Sequence, residues 1–309
     1  MNKLVILTGP TAVGKSKLSI ELAKKIGGEI ISADSMQVYK HMDIGTDKIS
    51  PEKMEGVTHY LIDILEPTEE FNVVLFQKKV KEAMKRIYQN GHIPILVGGT
   101  GFYIQAVLYD IDFTQTDADT SFRKGLEQIA LTEGASVLHE RLSMVDPESA
   151  KAIPEGNVKR VIRALEYFEK TGKKISEHNK EQHERTSPYD FRYFVLTDDR
   201  DELYRRIEVR IDEMIKNGLV EECQNLKKLG VTNDMTSMQG LGYREVMSYL
   251  DGKTNLENAI YLIKRNTRHF AKRQLTWFRR EKDVIWLDKK AYNREDALVL
   301  KAICSKLNW

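Results

Sequence analysis

The stretch that most restricts what this chain can become lies near its start, where the apolar run Leu4-Val5-Ile6-Leu7 leads into Gly9-Pro10-Thr11-Ala12-Val13-Gly14-Lys15-Ser16. The octapeptide fits G-x-x-x-x-G-K-[ST], with a buried-strand pattern before it and a helical pattern after it, which is the context the motif requires. Its glycines let successive N–H groups turn inward as an anion nest, the Lys15 ammonium adds a point charge, and the Ser16 hydroxyl can hold a magnesium ion. A chain that turns from strand through phosphate loop into helix belongs to an α/β fold with a parallel sheet. The loop predicts a di- or triphosphate ligand and leaves open whose phosphates they are.

With 309 residues, 41% of them hydrophobic, the chain has enough apolar surface to be folded throughout. Its net charge of +2 means that any polyanion site must come from segregated rather than overall charge. Cys223 and Cys304 lie far apart with no C-x-x-C spacing. That argues against a zinc site or a disulfide framework and predicts ordinary buried thiols in a reducing compartment. No apolar run approaches membrane-spanning length, and a strand beginning within a few residues of Met1 leaves no room for a signal peptide. The expectation is a soluble cytoplasmic protein.

Leu18, Leu22 and Ile26 recur every four residues and Gly27-Gly28 supplies a stop, so a helix is predicted from Ser16 to Ile26 with its N-terminus facing the phosphates. A second buried strand, Glu29 to Ala33, runs into Asp34-Ser35-Met36-Gln37-Val38-Tyr39. Residues just past a parallel strand's C-terminal end line the ligand crevice, which places Asp34 beside the loop, either as a catalytic carboxylate or as the cap of a turn. Residues 41–73 read as irregular. An amphipathic helix through Phe76, Val80, Ala83, Met84 and Ile87 follows, and then the strand Ile93 to Val97 runs into Gly98-Gly99-Thr100-Gly101. A P-loop nucleotidase would be expected to carry an acid after such a strand; Thr100 stands there instead, as a site residue or as an N-cap.

From 112 to 188 the sequence is polar and helical with no convincing strand, and a strand returns at Phe191–Leu196, so a helical insertion is predicted between two parts of one core, 1–111 and 189–309. Within the insertion Asn157 is a candidate N-cap, with Val158, Val161, Ile162, Leu165 and Phe168 on an apolar face and Lys159, Arg160 and Arg163 opposite. Such a basic stripe is either solvated or a nucleic-acid contact. Arg205, Arg206 and Arg210 sit on a later helix, and Arg206 and Arg210, one turn apart, compete for the phosphates. Gln239-Gly240-Leu241-Gly242-Tyr243-Arg244-Glu245 reads as a joint opening a short helix. The last long helix, Asn255 to Arg280, stacks Lys264, Arg268 and Lys272 beside Arg265, His269 and Arg273 on one face. Like charges at that spacing cost helix stability, which predicts a polyanion partner, with Phe270, Trp277 and Phe278 free either to stack or to pack.

These stretches together resemble the tRNA dimethylallyltransferases, also called tRNA isopentenyltransferases, of the bacterial type without a zinc-finger extension. The resemblance runs through the phosphate loop, Ile31–Tyr39, Met42-Asp43-Ile44-Gly45-Thr46, Val97–Tyr103, Arg160–Glu166, Gly242-Tyr243-Arg244 and Ala271–Arg279. It implies a P-loop NTPase-like parallel sheet with an inserted all-helical domain, and transfer of a dimethylallyl group from dimethylallyl diphosphate to N6 of adenosine 37 in tRNAs that read codons starting with U. Asp34 matches the general base, with Thr100 and Arg210 in the reaction channel. Gly9, Thr11, Ala12, Val13, Gly14, Lys15 and Ser16 match the diphosphate site, and Ser16 the Mg2+ ligand. Contacts to the tRNA anticodon stem-loop are implied for Asp34, Ser35, Met36, Gln37, Thr100, Arg123, Lys159, Arg160, Val161, Ile162, Arg163, Gln239, Gly240, Leu241, Gly242, Tyr243, Arg244, Arg273 and Gln274. The protein is expected to act as a monomer. The residues alone also admit a P-loop kinase acting on a small metabolite, which would reuse the sheet, the loop and Asp34.

Overall fold

A computed structural model describes residues 1–113 and 121–307. Six strands, β1 (Asn2–Thr8), β2 (Gly28–Ser32), β3 (His59–Tyr60), β4 (Ile93–Gly98), β5 (Tyr189–Thr197) and β6 (Val284–Asp288), form one sheet in the order β3-β2-β4-β1-β5-β6. Each neighbouring pair is parallel. Parallel neighbours need crossover connections, and these carry the helices that cover the sheet. Leu4, Val5, Ile6 and Leu7 of β1 are fully buried, which is why this central strand reads as an unbroken apolar run rather than an alternation. Thr8 stands opposite both Gly98 and Val195, so β1, β4 and β5 end nearly level and the segments that follow them meet at one edge.

The sheet is a P-loop NTPase-like one, with the strands expected from the sequence, the apolar run Val284-Ile285-Trp286-Leu287 supplying the last of them, and one more. β3 falls inside the stretch read as irregular; at two residues, both half-buried, it is too short to show any period. The helix after the phosphate loop, α1 (Lys15–Ile26), ends at Gly27, whose left-handed backbone lets its N–H reach the Ala23 carbonyl. Helix α2 (Val73–Gln89) is capped by the Asn72 side chain, which accepts from the Val74 and Leu75 amides, and α3 (Gly101–Leu108) follows β4 directly.

The backbone divides into two compact units, one of Met1–Leu108 with Pro188–Trp309 and one of Tyr109–Ser187, against the 112–188 read from composition. The first unit closes with α9 (Arg200–Lys216), α10 (Leu219–Lys228), α11 (Tyr243–Leu250), α12 (Leu256–Phe278) and α13 (Asp296–Ser305). Helix α12 is the predicted basic helix, but its charge is less exposed than its sequence implies. Lys264 pairs with Asp212 and Arg268 with Glu208, each at 2.6 Å, so two members of the stripe are neutralised by α9. The repulsion expected along that face is offset within the fold and does not by itself require a polyanion. Cys223 is buried, with burial first and the neighbouring Glu222 charge second pushing its thiol up to about 12; Cys304 is only half-buried. No helix among the described residues is long and apolar enough to cross a membrane.

The second unit holds α4 (Ser121–Thr132), α5 (Ala135–Val145), α6 (Pro147–Ala152), α7 (Val158–Thr171) and α8 (Ile175–His183) around its own core of Leu126, Leu138, Leu142, Val161, Ile162 and Leu165. Asn157 does precede α7, yet its side chain makes no capping hydrogen bond. The stronger device is Asp146, whose buried carboxylate accepts from the backbone N–H and hydroxyl of both Ser149 and Ser176, tying the start of α6 to the start of α8. Burial raises the Asp146 pKa, but the four hydrogen bonds outweigh it and the net shift is downward from 3.8. Asp146→Ala should cost about 3 kcal/mol in chemical denaturation, because it leaves buried donors unmet. A depressed native pKa means that this contribution is complete above 3.8 and is lost as pH falls through the lower native value, so the variant and the parent should converge in acid.

Candidate active site at the carboxyl edge of the sheet

The phosphate loop leaves β1 through Gly9, whose φ of +148° and close approach to β5 both exclude a side chain: a Cβ there would lie 2.5 Å from the Leu196 carbonyl oxygen. Val13 is fully buried and pins the middle of the loop, while Ala12 holds a left-handed φ of 63°. A left-handed residue among right-handed ones is the backbone form of an anion nest, and α1 begins one turn later with its N-terminus facing the same space. The Thr8 hydroxyl donates to the Gly98 carbonyl at 2.6 Å, fixing the end of β1 to the end of β4.

The Lys15 ammonium donates to the carbonyls of Gly9 at 3.0 Å and Pro10 at 2.9 Å. Its pKa is lowered from 10.5 to about 8, first by burial and then by the nearby Arg210 charge, with Asp34 and Asp47 opposing. The same four groups thus share one electrostatic neighbourhood. Arg210 comes from α9: one terminal nitrogen donates to the Thr11 hydroxyl at 2.5 Å and the other pairs with Asp47 at 3.0 Å, while its buried Nε has no hydrogen-bond partner. Arg206 faces elsewhere, held by Asp198 at 3.1 Å and Glu202 at 2.8 Å. Of the two arginines, Arg210 is the one that reaches the phosphate loop.

Asp34 is half-buried just past β2. Its Oδ1 accepts from the Met36 amide at 2.8 Å and the Gln37 amide at 3.4 Å, so the turn-capping role is present, and its Oδ2 takes no hydrogen bond from the described residues. One oxygen fixes the carboxylate and the other stays open to a ligand. Gln37 donates to the Thr46 carbonyl at 3.2 Å and accepts from the Ser32 hydroxyl at 3.0 Å; Ser35 and Met36 beside it are half-buried. Thr100 opens the first turn of α3 with its carbonyl, which accepts from Tyr103 and Ile104, and its hydroxyl makes no hydrogen bond among the described residues. The Ser16 hydroxyl is likewise unengaged and exposed at the start of α1. No group of three His, Cys, Asp or Glu residues is arranged for a metal among the described residues, so any cation here would rely on a hydroxyl, substrate oxygens and water.

Several of the residues expected to contact RNA have buried side chains. Gln274 is buried on α12 and bridges two loops, accepting from the Thr11 amide and donating to the Gly99 carbonyl, both at 2.9 Å. Tyr243 is fully buried, as are Gly240 and Gly242 around it, while Gln239, Arg244 and Arg273 are exposed and Leu241 is half-buried. In the helical unit Val161 and Ile162 are core residues whose side chains face inward, because the 3.6-residue period puts them on the apolar stripe of α7. Lys159, Arg160 and Arg163 are exposed as predicted. Arg123 pairs at 2.6 Å with the buried Glu166, and the Arg163 pKa is lowered by desolvation first and by the Arg123 charge second. Asp47 was missed: its only signal is that it follows the Met42–Thr46 stretch, and its partner Arg210 is far away in sequence.

Fold and site define the class first: a P-loop α/β protein whose anion loop, two cations and one open carboxylate oxygen share the carboxyl edge of the sheet. The model for the IPP transferase family matches residues 37–281, and the chain belongs to that family. It is 61% identical over 303 residues to a tRNA dimethylallyltransferase of Lachnoclostridium phytofermentans, covering 98% of this chain and 97% of that one. It is 53% identical to a tRNA dimethylallyltransferase of Carboxydothermus hydrogenoformans, covering 93% and 92%. Among solved structures it is similar to a tRNA isopentenylpyrophosphate transferase of Bacillus halodurans, with 44% identity, a TM-score of 0.74 and 99% and 97% of the two chains covered. It is also similar to a eukaryotic dimethylallyltransferase acting on tRNA, with 31% identity, a TM-score of 0.85 and 98% and 78% covered.

The Gln274 bridge makes a prediction independent of any reaction. Gln274→Ala leaves the Thr11 amide and the Gly99 carbonyl without their partner, and should destabilise the protein by about 1–2 kcal/mol while weakening pyrophosphate binding, read by calorimetry.

Proposed function

We propose that this protein transfers a dimethylallyl group from dimethylallyl diphosphate to N6 of adenosine 37 in tRNAs reading codons that start with U. The observation that carries the reading is the pairing of an anion loop backed by Lys15 and Arg210 with the open Oδ2 of Asp34 at the same sheet edge. The names of the similar proteins agree with it.

In the transfer the bond between the allylic carbon and the diphosphate oxygen breaks, the N6–carbon bond forms, and a proton leaves the amino group. Charge builds on the departing diphosphate, and the loop N–H groups, Lys15 and Arg210 are placed to neutralise it. Lys15 donates to two carbonyls of its own loop, acceptors weaker than a phosphate, so a diphosphate can take over those bonds. The exocyclic amine is poorly basic, and Asp34 accepts its proton through Oδ2 while Oδ1 keeps the carboxylate oriented. Thr100, whose hydroxyl makes no hydrogen bond among the described residues, is assigned to the acceptor side.

Magnesium fits the donor set, because it is commonly held by few protein ligands together with substrate phosphates and water, and the Ser16 hydroxyl is unengaged. When bound it supplies further charge neutralisation to the diphosphate. Adenosine 37 must leave the stack of the anticodon loop, at a cost of a few kcal/mol. The exposed Lys159, Arg160, Arg163, Arg244 and Arg273 offer phosphate contacts that offset it. The reading takes a cytoplasmic monomer as the acting species.

A kinase would reuse the loop and Asp34, but it has no support from the similar proteins, and Thr100 stands where a nucleotidase carries its acid. Labelled dimethylallyl diphosphate incubated with unmodified tRNA should place label in the RNA, whereas label entering only free AMP, or phosphate transfer from ATP, contradicts the proposal. Asp34→Ala should lower kcat by about 10²–10⁴-fold, with tRNA affinity little changed in a filter-binding measurement.

A further inference from the structure

Glu222, in the first turn of α10, makes more polar contacts than a half-buried surface carboxylate needs. Its Oε2 accepts from the amides of Asp43 and Ile44, both at 2.8 Å, and its Oε1 accepts from the Gly45 amide at 3.1 Å and the Tyr243 hydroxyl at 2.6 Å. Three successive backbone N–H groups converging on one carboxylate form a nest, here filled by a side chain of the same protein. The Tyr243 ring closes the other side: a Cβ on Gly45 would lie 2.5 Å from its Cζ, so only glycine lets loop and ring meet. Burial first, and the Glu222 charge second, hold the Tyr243 pKa well above 10, so its hydroxyl remains a donor.

The segment held in this way runs directly into the site. Thr46 and Asp47 offer their carbonyls to Gln37, whose own amide bonds to Asp34, and the Asp47 carboxylate takes one arm of Arg210 while the other arm reaches the phosphate loop. Asp47 stands at a left-handed φ of 51°, a conformation that a loop keeps only when its surroundings hold it. A guanidinium aimed at a departing diphosphate must be held closely, since a displacement of about 1 Å can cost about 10²-fold in rate.

We infer that Glu222 is a positioning residue for the transfer step: with Tyr243 it seats loop 43–47, and through Asp47 it sets where Arg210 meets the diphosphate. This rests on the function proposed above only for its kinetic readouts. It gives Tyr243, a buried member of a stretch expected to bind RNA, a role on the donor side instead.

The experiment compares wild type, Glu222→Ala, Glu222→Gln, Asp47→Asn and the double variant Glu222→Ala with Asp47→Asn, in steady-state transfer and in pyrophosphate binding with magnesium. Glu222→Ala should lower kcat by about 10²-fold and weaken pyrophosphate binding by about tenfold, with tRNA affinity within about twofold of wild type. Glu222→Gln should recover part of the loss, because one amide oxygen still accepts from Asp43 and Ile44. Adding Asp47→Asn to Glu222→Ala should change kcat by less than about twofold, since both act through one path. Losses that multiply, or wild-type kcat and pyrophosphate affinity in Glu222→Ala, overturn the inference. Should Glu222→Ala fail to fold, Tyr243→Phe keeps the ring on Gly45 and removes only the hydroxyl; it should lower kcat by about fivefold, and an unchanged kcat and pyrophosphate affinity overturn the inference. Wild-type protein that transfers no label to tRNA would refute the proposed function while leaving the pyrophosphate arm to decide this one.

Discussion

The chain leaving β1 passes so close to its neighbours that no side chain fits at Gly9, and the site is built on that passage. The Leu196 carbonyl of β5 stands on one side and the Gly98 carbonyl of β4, held by the Thr8 hydroxyl, on the other. Confined between them, the backbone can turn only as a tight loop, and the buried Val13 side chain and the Gln274 amide fix its far side. Rigid backbone N–H groups serve an anion better than mobile ones because little reorganisation is needed when charge develops.

Around this loop each cation is held by groups of the protein itself. Lys15 rests on loop carbonyls and Arg210 on Thr11 and Asp47. Burial first, and the Arg210 charge second, lower the Lys15 pKa to about 8. The same holds on α12, where Lys264 and Arg268 meet acids of α9 and much of the segregated basic charge is used within the fold.

Much of the architecture was legible because central parallel strands are buried on both faces and read as plain apolar runs, as at Leu4–Leu7 and Ile93–Val97. The two-residue β3 had no such run. At the site, the loop and Asp34 were legible from their place directly after strands. Exposure was legible for Val161 and Ile162, which the helical period puts on an apolar face, but not for Tyr243 and Gln274, which sit in stretches that resemble an RNA-binding family's while their side chains face the interior. A family motif marks residues that matter without saying whether they touch the substrate or hold what does.

The chain's local order therefore established the strand, loop and helix of the phosphate site, the stop at Gly27 and the helical insertion, because each depends on residues a few positions apart. The reach of Arg210 to the phosphate loop, its pairing with Asp47, the Gln274 bridge and the Glu222 latch were decided only by the fold. Each joins groups far apart in sequence, such as Thr11 with Gln274 or Gly45 with Tyr243. Periodicity and propensity describe a segment's own conformation; which distant side chain completes a hydrogen bond depends on how the helices pack across the sheet, and that is a property of the whole molecule.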